Sequence, residues 1–179
     1  YTDKRQLMPL TDVIVTTQQI CTAVAFAHKN GVIHRDIKPS NVIISTQGEA
    51  VLTDFGIAKM VGIEEFTATG AVIGTAAYIS PEQTQGKGVD KRTDIYAIGA
   101  MIDAMVSGAP PFQAYSVMSL MMKHINEPVP DLRQKVPSLH PKMIAIIEKA
   151  LAKDPAQRYQ TADKLAAELS RLSAPKSPI

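Results

Sequence analysis

Residues 34–41 read His-Arg-Asp-Ile-Lys-Pro-Ser-Asn, and the interpretation of the whole chain starts from them. The carboxylate of Asp36 can accept the proton of an attacking hydroxyl, and the ammonium of Lys38 can neutralise charge on a phosphoryl group. The amide oxygen of Asn41 suits a hard metal ion such as Mg²⁺. Pro39 excludes helix at and just before its own position, so this stretch is an irregular loop. The same residue types are common in surface turns, and composition alone favours that simpler interpretation.

Two later motifs favour a catalytic interpretation instead. Residues 54–56 read Asp-Phe-Gly and follow the apolar run 50–52, which places a second carboxylate at the end of a strand with a flexible glycine behind it. Asp54 is therefore the better metal ligand. Further on, Gly-Thr at 74–75 and Ser-Pro-Glu at 80–82 close the segment that Asp54 opens.

Taken in order, these motifs resemble the C-terminal lobe of a eukaryotic-type (Hanks-type) serine/threonine protein kinase. The resemblance runs from about Leu10 to about Leu172. It implies a mainly α fold, a kinase-like C-terminal lobe over residues 1–172 with a small β-hairpin near the catalytic loop, and a linker that starts in 173–179. Ser80 stands where eukaryotic members usually have alanine, which makes the chain look bacterial.

The resemblance also implies an activity. Such a protein transfers the γ-phosphoryl group of ATP to serine or threonine hydroxyls of protein substrates, with Mg²⁺ as cofactor and a kinase homodimer as a candidate partner for autophosphorylation. Asp36 and Lys38 would be catalytic, Asn41 and Asp54 would bind the metal, and Ile43 would form the floor of the nucleotide pocket. The alternative is a non-catalytic, pseudokinase-like binding module.

Further residues take supporting roles by the same resemblance. Arg35 and Lys59 match positions that grip a phosphothreonine, and the T-x-T pair of Thr67 and Thr69 is the candidate phosphorylation site. A solvated, threonine-rich loop is the plainer interpretation of that pair. By the same resemblance, Thr75 supports the activation segment by bonding the catalytic aspartate and lysine, and Glu82 pairs with Arg158. The structural residues are His34, which packs under Phe55, and Asp94. Asp94 can cap the helix that it starts and, by the resemblance, bond the backbone of the catalytic loop.

Composition is that of an ordinary globular domain. Of the 179 residues 45% are hydrophobic and 20% charged, and the net charge of +2 excludes strong electrostatic attraction to nucleic acid or to an anionic membrane. Cys21 has no second cysteine with which to pair and falls in a helical pattern, so we expect a buried, reduced thiol and a cytoplasmic protein. The longest nearly apolar run, residues 95–106, is too short to cross a bilayer. A membrane anchor elsewhere in a longer protein stays open.

Hydrophobic periodicity predicts a series of helices, and residues 57–80, which show no sustained period, are expected to form a long loop. Thr11 is the expected N-cap of the first helix and Thr161 that of the last, and strands are expected at 42–44 and 50–52. Methionines at 118, 121 and 122 form a stripe that we expect to pack into the core, with a soft partner-binding face as the alternative. The predicted helices lie at residues 11–29, 94–106, 118–125, 141–151 and 161–172.

A complete kinase domain also has a glycine-rich loop and a strand lysine paired with a helix glutamate, all before the catalytic loop. The residues before His34 contain no G-x-G-x-x-G pattern, so we expect the N-terminal lobe to be absent from this chain. The chain is then either a fragment of a longer protein or a degenerate relative, and the intact catalytic and metal-binding residues favour the fragment. We expect this fragment to be inactive by itself.

Overall fold

The computed structural model of the protein describes residues 7–55 and 74–173. This part of the chain is mostly helical and has one small antiparallel sheet, as the sequence predicted. Short 3₁₀ turns lie at Pro39–Asn41 and Pro155–Gln157. The helices and strands are α1 (Leu10–Lys29), β1 (Val42–Ile44), β2 (Ala50–Leu52), α2 (Pro81–Thr84), α3 (Arg92–Ser107), α4 (Val117–Asn126), α5 (Leu132–Lys135), α6 (Pro141–Ala150) and α7 (Ala162–Ser173).

Helix α3 forms the centre of the core, as its nearly uniform apolar surface predicts. Ile95, Ile98 and Ile102 are fully buried, and each such side chain contributes about 1.5–3 kcal/mol of hydrophobic stabilisation. Gly99 lets α6 approach closely, because a Cβ at this position would lie 2.7 Å from the Cβ of Ala150. Any larger residue at position 99 would therefore push α6 away from the helix on which the fold is built.

Helix α1 packs against α3 and α7 through fully buried residues that include Val13, Ile20 and Val24. It begins one residue before the predicted cap: Pro9 precedes its first turn, and Thr11 lies inside the helix with its hydroxyl bonded to Asp12. The prediction of Thr11 as the N-cap is wrong because proline, with its fixed φ, already starts the helix.

By length and composition, α1 is the one helix in the described ranges that is apolar enough to cross a membrane. Half of the window that meets this test is buried inside the fold, and buried core helices commonly meet it.

The hairpin has the predicted bounds. Val42 pairs with Leu52 and Ile43 with Val51, and Gly48 supplies the positive φ of 82° that the turn needs. The backbone N–H of Ala50 donates to the side chain of Gln19 on α1 at 2.7 Å, which fixes β2 to the helical body. The residues that flank the hairpin, at 41 and 53, are thereby fixed relative to α1.

Helix α4 corrects the prediction for the methionine stripe. Met121 is buried, but Met118 and Met122 are 57% and 49% exposed. The helix lies at the periphery and has only one inward face, which carries Leu120, Met121 and His124. Residues 118 and 122 are one turn apart on the outer face, so core packing is wrong for these two.

Candidate active site

Asp94, in the first turn of α3, holds the start of the predicted catalytic loop. Its fully buried carboxylate accepts hydrogen bonds from the backbone N–H groups of His34 (2.9 Å) and Arg35 (2.8 Å). Nε2 of His28 donates to the same carboxylate at 2.7 Å. The predicted contact with the loop backbone is present, whereas the expected capping of α3 by Asp94 is not, because Lys91 is the N-cap residue and no side-chain cap forms.

His34 is a packing residue, as predicted. Its Nδ1 accepts from the backbone N–H of Asp36 at 3.3 Å, so Nε2 carries the proton and donates to the carbonyl of Thr53 at 3.0 Å. The ring lies 4.6 Å from that of Phe55. His34 thus joins the catalytic loop to the chain that leads into Asp54, with both ring nitrogens occupied by structural bonds.

Asp36 and Lys38, the two predicted catalytic residues, contact each other in the loop. Nζ of Lys38 lies 2.9 Å from Oδ2 of Asp36 and donates to Oγ1 of Thr75 at 3.1 Å. Both charged side chains are 15% exposed. The predicted contact between Thr75 and the lysine is therefore present, and the two charges stay accessible at a point where residue 75 approaches the loop.

Asn41 is oriented by its own loop. Its Nδ2 donates to the backbone carbonyl of Asp36 at 2.8 Å and to the Asp36 carboxylate at 3.1 Å. With both amide protons used, Oδ1 is the atom of Asn41 that is available as a ligand. Asp54 lies nearby, because the N–H of Thr53 donates to the carbonyl of Asn41 at 2.8 Å. Asp54 is exposed and has a φ of 56°, an uncommon conformation for a residue with a Cβ.

These two donors fit Mg²⁺. The described residues contain no cluster of three or more His, Cys, Asp or Glu side chains that would hold a metal by themselves. Mg²⁺ does not require one, because it usually binds through one or two carboxylates together with substrate phosphates and water. The Asp54 carboxylate and Oδ1 of Asn41 supply oxygen ligands of that kind.

Glu82 and Arg158 form the predicted ion pair, and both residues are buried. The guanidinium is fully buried and binds both carboxylate oxygens, at 2.7 and 2.8 Å. Its remaining donors bind the carbonyls of Ala152, Arg92 and Lys153, so all five are satisfied. Burial alone would raise the pKa of Glu82, but the hydrogen bonds and charge of Arg158 outweigh it and hold that pKa below its ordinary value.

Helix α2 contacts the loop through a residue that the sequence interpretation missed. Ser80 and Gln83 form a capping box at the start of α2, and Nε2 of Gln83 also donates to the carbonyl of Arg35 at 2.9 Å. Arg35 has a positive φ of 66°, so this bond helps to fix a strained position. The spacing of serine and glutamine is a capping-box signal, and it could have revealed the N-terminus of α2.

The other predicted residues divide into two groups. Ile43 lies on β1 with 57% of its surface exposed, adjacent to the site in the chain. Lys59, Thr67 and Thr69 lie outside the described residues. Cys21 is buried as expected, and burial raises the pKa of its thiol to about 12, which makes it unreactive.

Known proteins resemble this chain over nearly its whole length. The family described as protein kinase domain matches residues 1–169. A serine/threonine-protein kinase PknB of Mycobacterium leprae is 40% identical over 96% of the chain and 28% of the relative. A probable kinase of the same name from Corynebacterium glutamicum is 43% identical over 86% and 25%, and the serine/threonine-protein kinase PrkC of Bacillus subtilis is 40% identical over 85% and 24%. The chain spans about a quarter of the length of these relatives.

Proposed function

This chain belongs to the protein kinase domain family, and on that premise we propose that it carries the catalytic loop of a serine/threonine protein kinase. The observation that supports this most strongly is the contact of Lys38 with both Asp36 and Thr75. A carboxylate and an ammonium lie side by side and are both partly exposed. The ammonium is held by a hydroxyl from a distant part of the chain. Phosphoryl transfer needs such positioned charges more than it needs covalent chemistry.

In the proposed reaction the substrate hydroxyl oxygen attacks the γ-phosphorus of ATP. A new P–O bond forms as the bond between the γ-phosphorus and the bridging oxygen breaks, and ADP leaves. The carboxylate of Asp36 orients the hydroxyl and accepts its proton, and Lys38 offsets negative charge on the transferring group. Thr75 holds Lys38 in place. Asn41 and Asp54 would hold Mg²⁺, which neutralises charge on the phosphates when it is bound.

We also propose that residues 1–172 form the C-terminal lobe of the kinase domain and that 173–179 begin a linker. Ile43 would lie under the nucleotide, consistent with an apolar side chain that is more than half exposed beside the loop. Phosphorylation at Thr67 or Thr69, with Arg35 and Lys59 as its cationic partners, stays a proposal. So do autophosphorylation in a homodimer and a cytoplasmic location. The non-catalytic binding module is not favoured, because the relatives are named as kinases.

The test is transfer of label from [γ-³²P]ATP to casein by the full-length protein, followed by phosphoamino-acid analysis. We expect phosphoserine or phosphothreonine and dependence on Mg²⁺. Asp54→Asn should raise the Mg²⁺ concentration for half-maximal transfer, because an amide oxygen binds a hard cation more weakly than a carboxylate does. Asp12→Asn, an exposed change on α1, is the matched control and should leave it unchanged. Failure of a wild-type protein that binds ATP to label serine or threonine would overturn the proposal.

A further inference from the structure

A buried polar group that the proposed mechanism does not use lies under residues 74–82, here called the segment 74–82. His124 on α4 is fully buried, and its ring lies 5.0 Å from that of Phe112 and 5.7 Å from that of Tyr96. Its Nδ1 is 2.8 Å from the hydroxyl of Tyr96 on α3. Its Nε2 is buried and has no hydrogen-bond partner among the described residues.

The protonation of this pair follows from its surroundings. Burial, with the nearby charge of Lys153, lowers the pKa of His124 to about 3, so the imidazole is neutral at pH 7. Burial also raises the pKa of Tyr96, so the phenol keeps its proton. If Nδ1 donated to Tyr96, both the phenol proton and Nε2 would lack partners, whereas donation by Tyr96 leaves only Nε2 without one. Tyr96 is therefore the donor.

The pair connects two parts of the segment 74–82. On one side, the ring of His124 contacts that of Phe112, and Phe112 packs in a small apolar cluster with Ala76 and Leu120. On the other side, the guanidinium carbon of Arg158 lies 4.9 Å from the centre of the Tyr96 ring. Arg158 in turn binds Glu82. One buried network thus reaches residue 76 at one end and residue 82 at the other.

Lys153 also contacts the residues of this network. Its ammonium donates to the carbonyls of Lys123 (3.3 Å) and His124 (2.7 Å) and lies 4.3 Å from the centre of the Phe112 ring. These carbonyls belong to the last part of α4, where a cation is favourable. The backbone carbonyl of His124 is thus bonded to Lys153 and its ring to Tyr96, and both contacts fix the residue in place.

The segment 74–82 begins beside the proposed catalytic residues. Thr75 bonds Lys38, and Lys38 contacts Asp36. Consecutive residues of a substrate chain are about 3.8 Å apart, so the residues next to a hydroxyl at Asp36 are within reach of Thr75 and the residues that follow it. Turn bonds from the N–H of Tyr78 to Thr75 and of Ile79 to Ala76 give this stretch its shape.

We propose that Tyr96 and His124 are positioning residues for the protein substrate: their buried hydrogen bond holds the segment 74–82 against α4 in the shape that binds the substrate chain. This inference depends on the proposed function. Neither residue touches the reacting atoms. Loss of the bond therefore weakens binding of the protein substrate and leaves the nucleotide and the chemical step unaffected.

The experiment measures steady-state kinetics of the full-length protein with a peptide chosen from the sites that the wild-type protein labels. Tyr96→Phe should raise the KM for peptide by roughly fivefold or more, since a buried acceptor loses its donor. The kcat and the KM for ATP should stay within about twofold, because the contacts of Asp36 and Lys38 are unchanged. Tyr159→Phe is the matched control, a second buried tyrosine for which no hydroxyl bond is found among the described residues.

A rescue series separates the hydrogen bond from simple packing. His124→Asn places an amide oxygen where Nδ1 lies and should keep a peptide KM close to wild type, whereas His124→Leu should match Tyr96→Phe. Hydrogen exchange gives a readout without catalysis: the amides of Tyr78 and Ile79 should exchange faster in Tyr96→Phe than in the wild-type protein or in Tyr159→Phe.

Each failure has a distinct meaning. Absence of transfer by the wild-type protein overturns the proposed function. An active wild-type protein whose Tyr96→Phe variant keeps the wild-type peptide KM, or loses kcat in the same proportion for every substrate, overturns the inference alone. Equal exchange at Tyr78 and Ile79 in both proteins also overturns it, and that result needs no activity.

Discussion

The catalytic loop and the Glu82–Arg158 pair are both charged, yet their side chains are held in opposite ways. Asp36 and Lys38 are each 15% exposed and contact each other with bonding capacity left over. Arg158 is fully buried, and every one of its donors has a partner. A side chain that acts on a substrate has to keep hydrogen-bonding capacity for it. A buried charged side chain is stable only when all of its donors and acceptors have partners. Under the proposed function, the same residue types therefore serve chemistry in one region and stability in the other.

Arg158→Ala tests the structural role of the buried pair and has the largest expected effect on stability. It leaves the Glu82 carboxylate buried without its cation, so the free energy of unfolding should fall by roughly 3–5 kcal/mol. Arg171→Ala removes the mostly exposed cation that pairs with Glu168 and should cost about 0–1 kcal/mol. Chemical denaturation of the two variants in the full-length protein checks the difference. Equal, small effects would mean that the buried pair contributes no more than a surface pair.

The contribution of Glu82 to the free energy of unfolding should decrease at acidic pH. The folded-state pKa of Glu82 is below its ordinary value of 4.5, so its stabilising contribution is complete above that pH. It is lost as the pH falls from 4.5 through the lower folded-state pKa.

Asp103 on α3 extends the comparison, because it is buried like Glu82 but contacts no cation within residues 7–55 and 74–173. Oδ1 accepts from Ser107 at 3.1 Å, while Oδ2 has no hydrogen-bond partner among the described residues. Burial raises its pKa from 3.8 to about 6, and the charge of Lys135 only partly opposes this. The folded protein thus holds the Asp103 proton more tightly than the unfolded chain does.

Because the pKa of Asp103 is higher in the folded protein than in the unfolded chain, its contribution to stability should fall as the pH rises from about 4 to about 6. Above that range the contribution should be constant. Asp103→Asn removes the titration, so the difference in unfolding free energy between variant and wild type should change by about 3 kcal/mol over that interval. Denaturation at a series of pH values checks this, and other titrating groups cancel in the difference. A difference that does not vary with pH would show that Asp103 titrates normally.

Much of the local structure could be predicted from the sequence. The hairpin has its predicted bounds, Thr161 accepts a hydrogen bond at the start of α7 as expected, and the nearly all-apolar helix is the central one. Each of these follows from signals within a few residues: alternation, a capping hydroxyl, a turn glycine. The loop residues Asp36, Lys38 and Asn41 also meet as predicted, because they are close in the chain.

Contacts between distant segments could not be read in this way. Nothing local to Gln83 indicates that it reaches Arg35, and nothing local to Tyr96 indicates a bond to His124. The outward direction of Met118 depends on which face of α4 meets the core, and that is decided by tertiary packing. The buried ion pair was foreseen only through the family resemblance.

The role of Asp36 is tested most directly by the kcat and the unfolding midpoint of Asp36→Asn, measured together in the full-length protein. Asparagine keeps the size of the side chain but cannot act as the base. We expect kcat to fall by roughly 10²–10⁴-fold while the unfolding midpoint stays at the wild-type value. An unchanged kcat would remove Asp36 from the chemistry. A loss of activity in step with a lower midpoint would show that the loop supports the fold as the Glu82–Arg158 pair does, and the division between the two regions would be wrong.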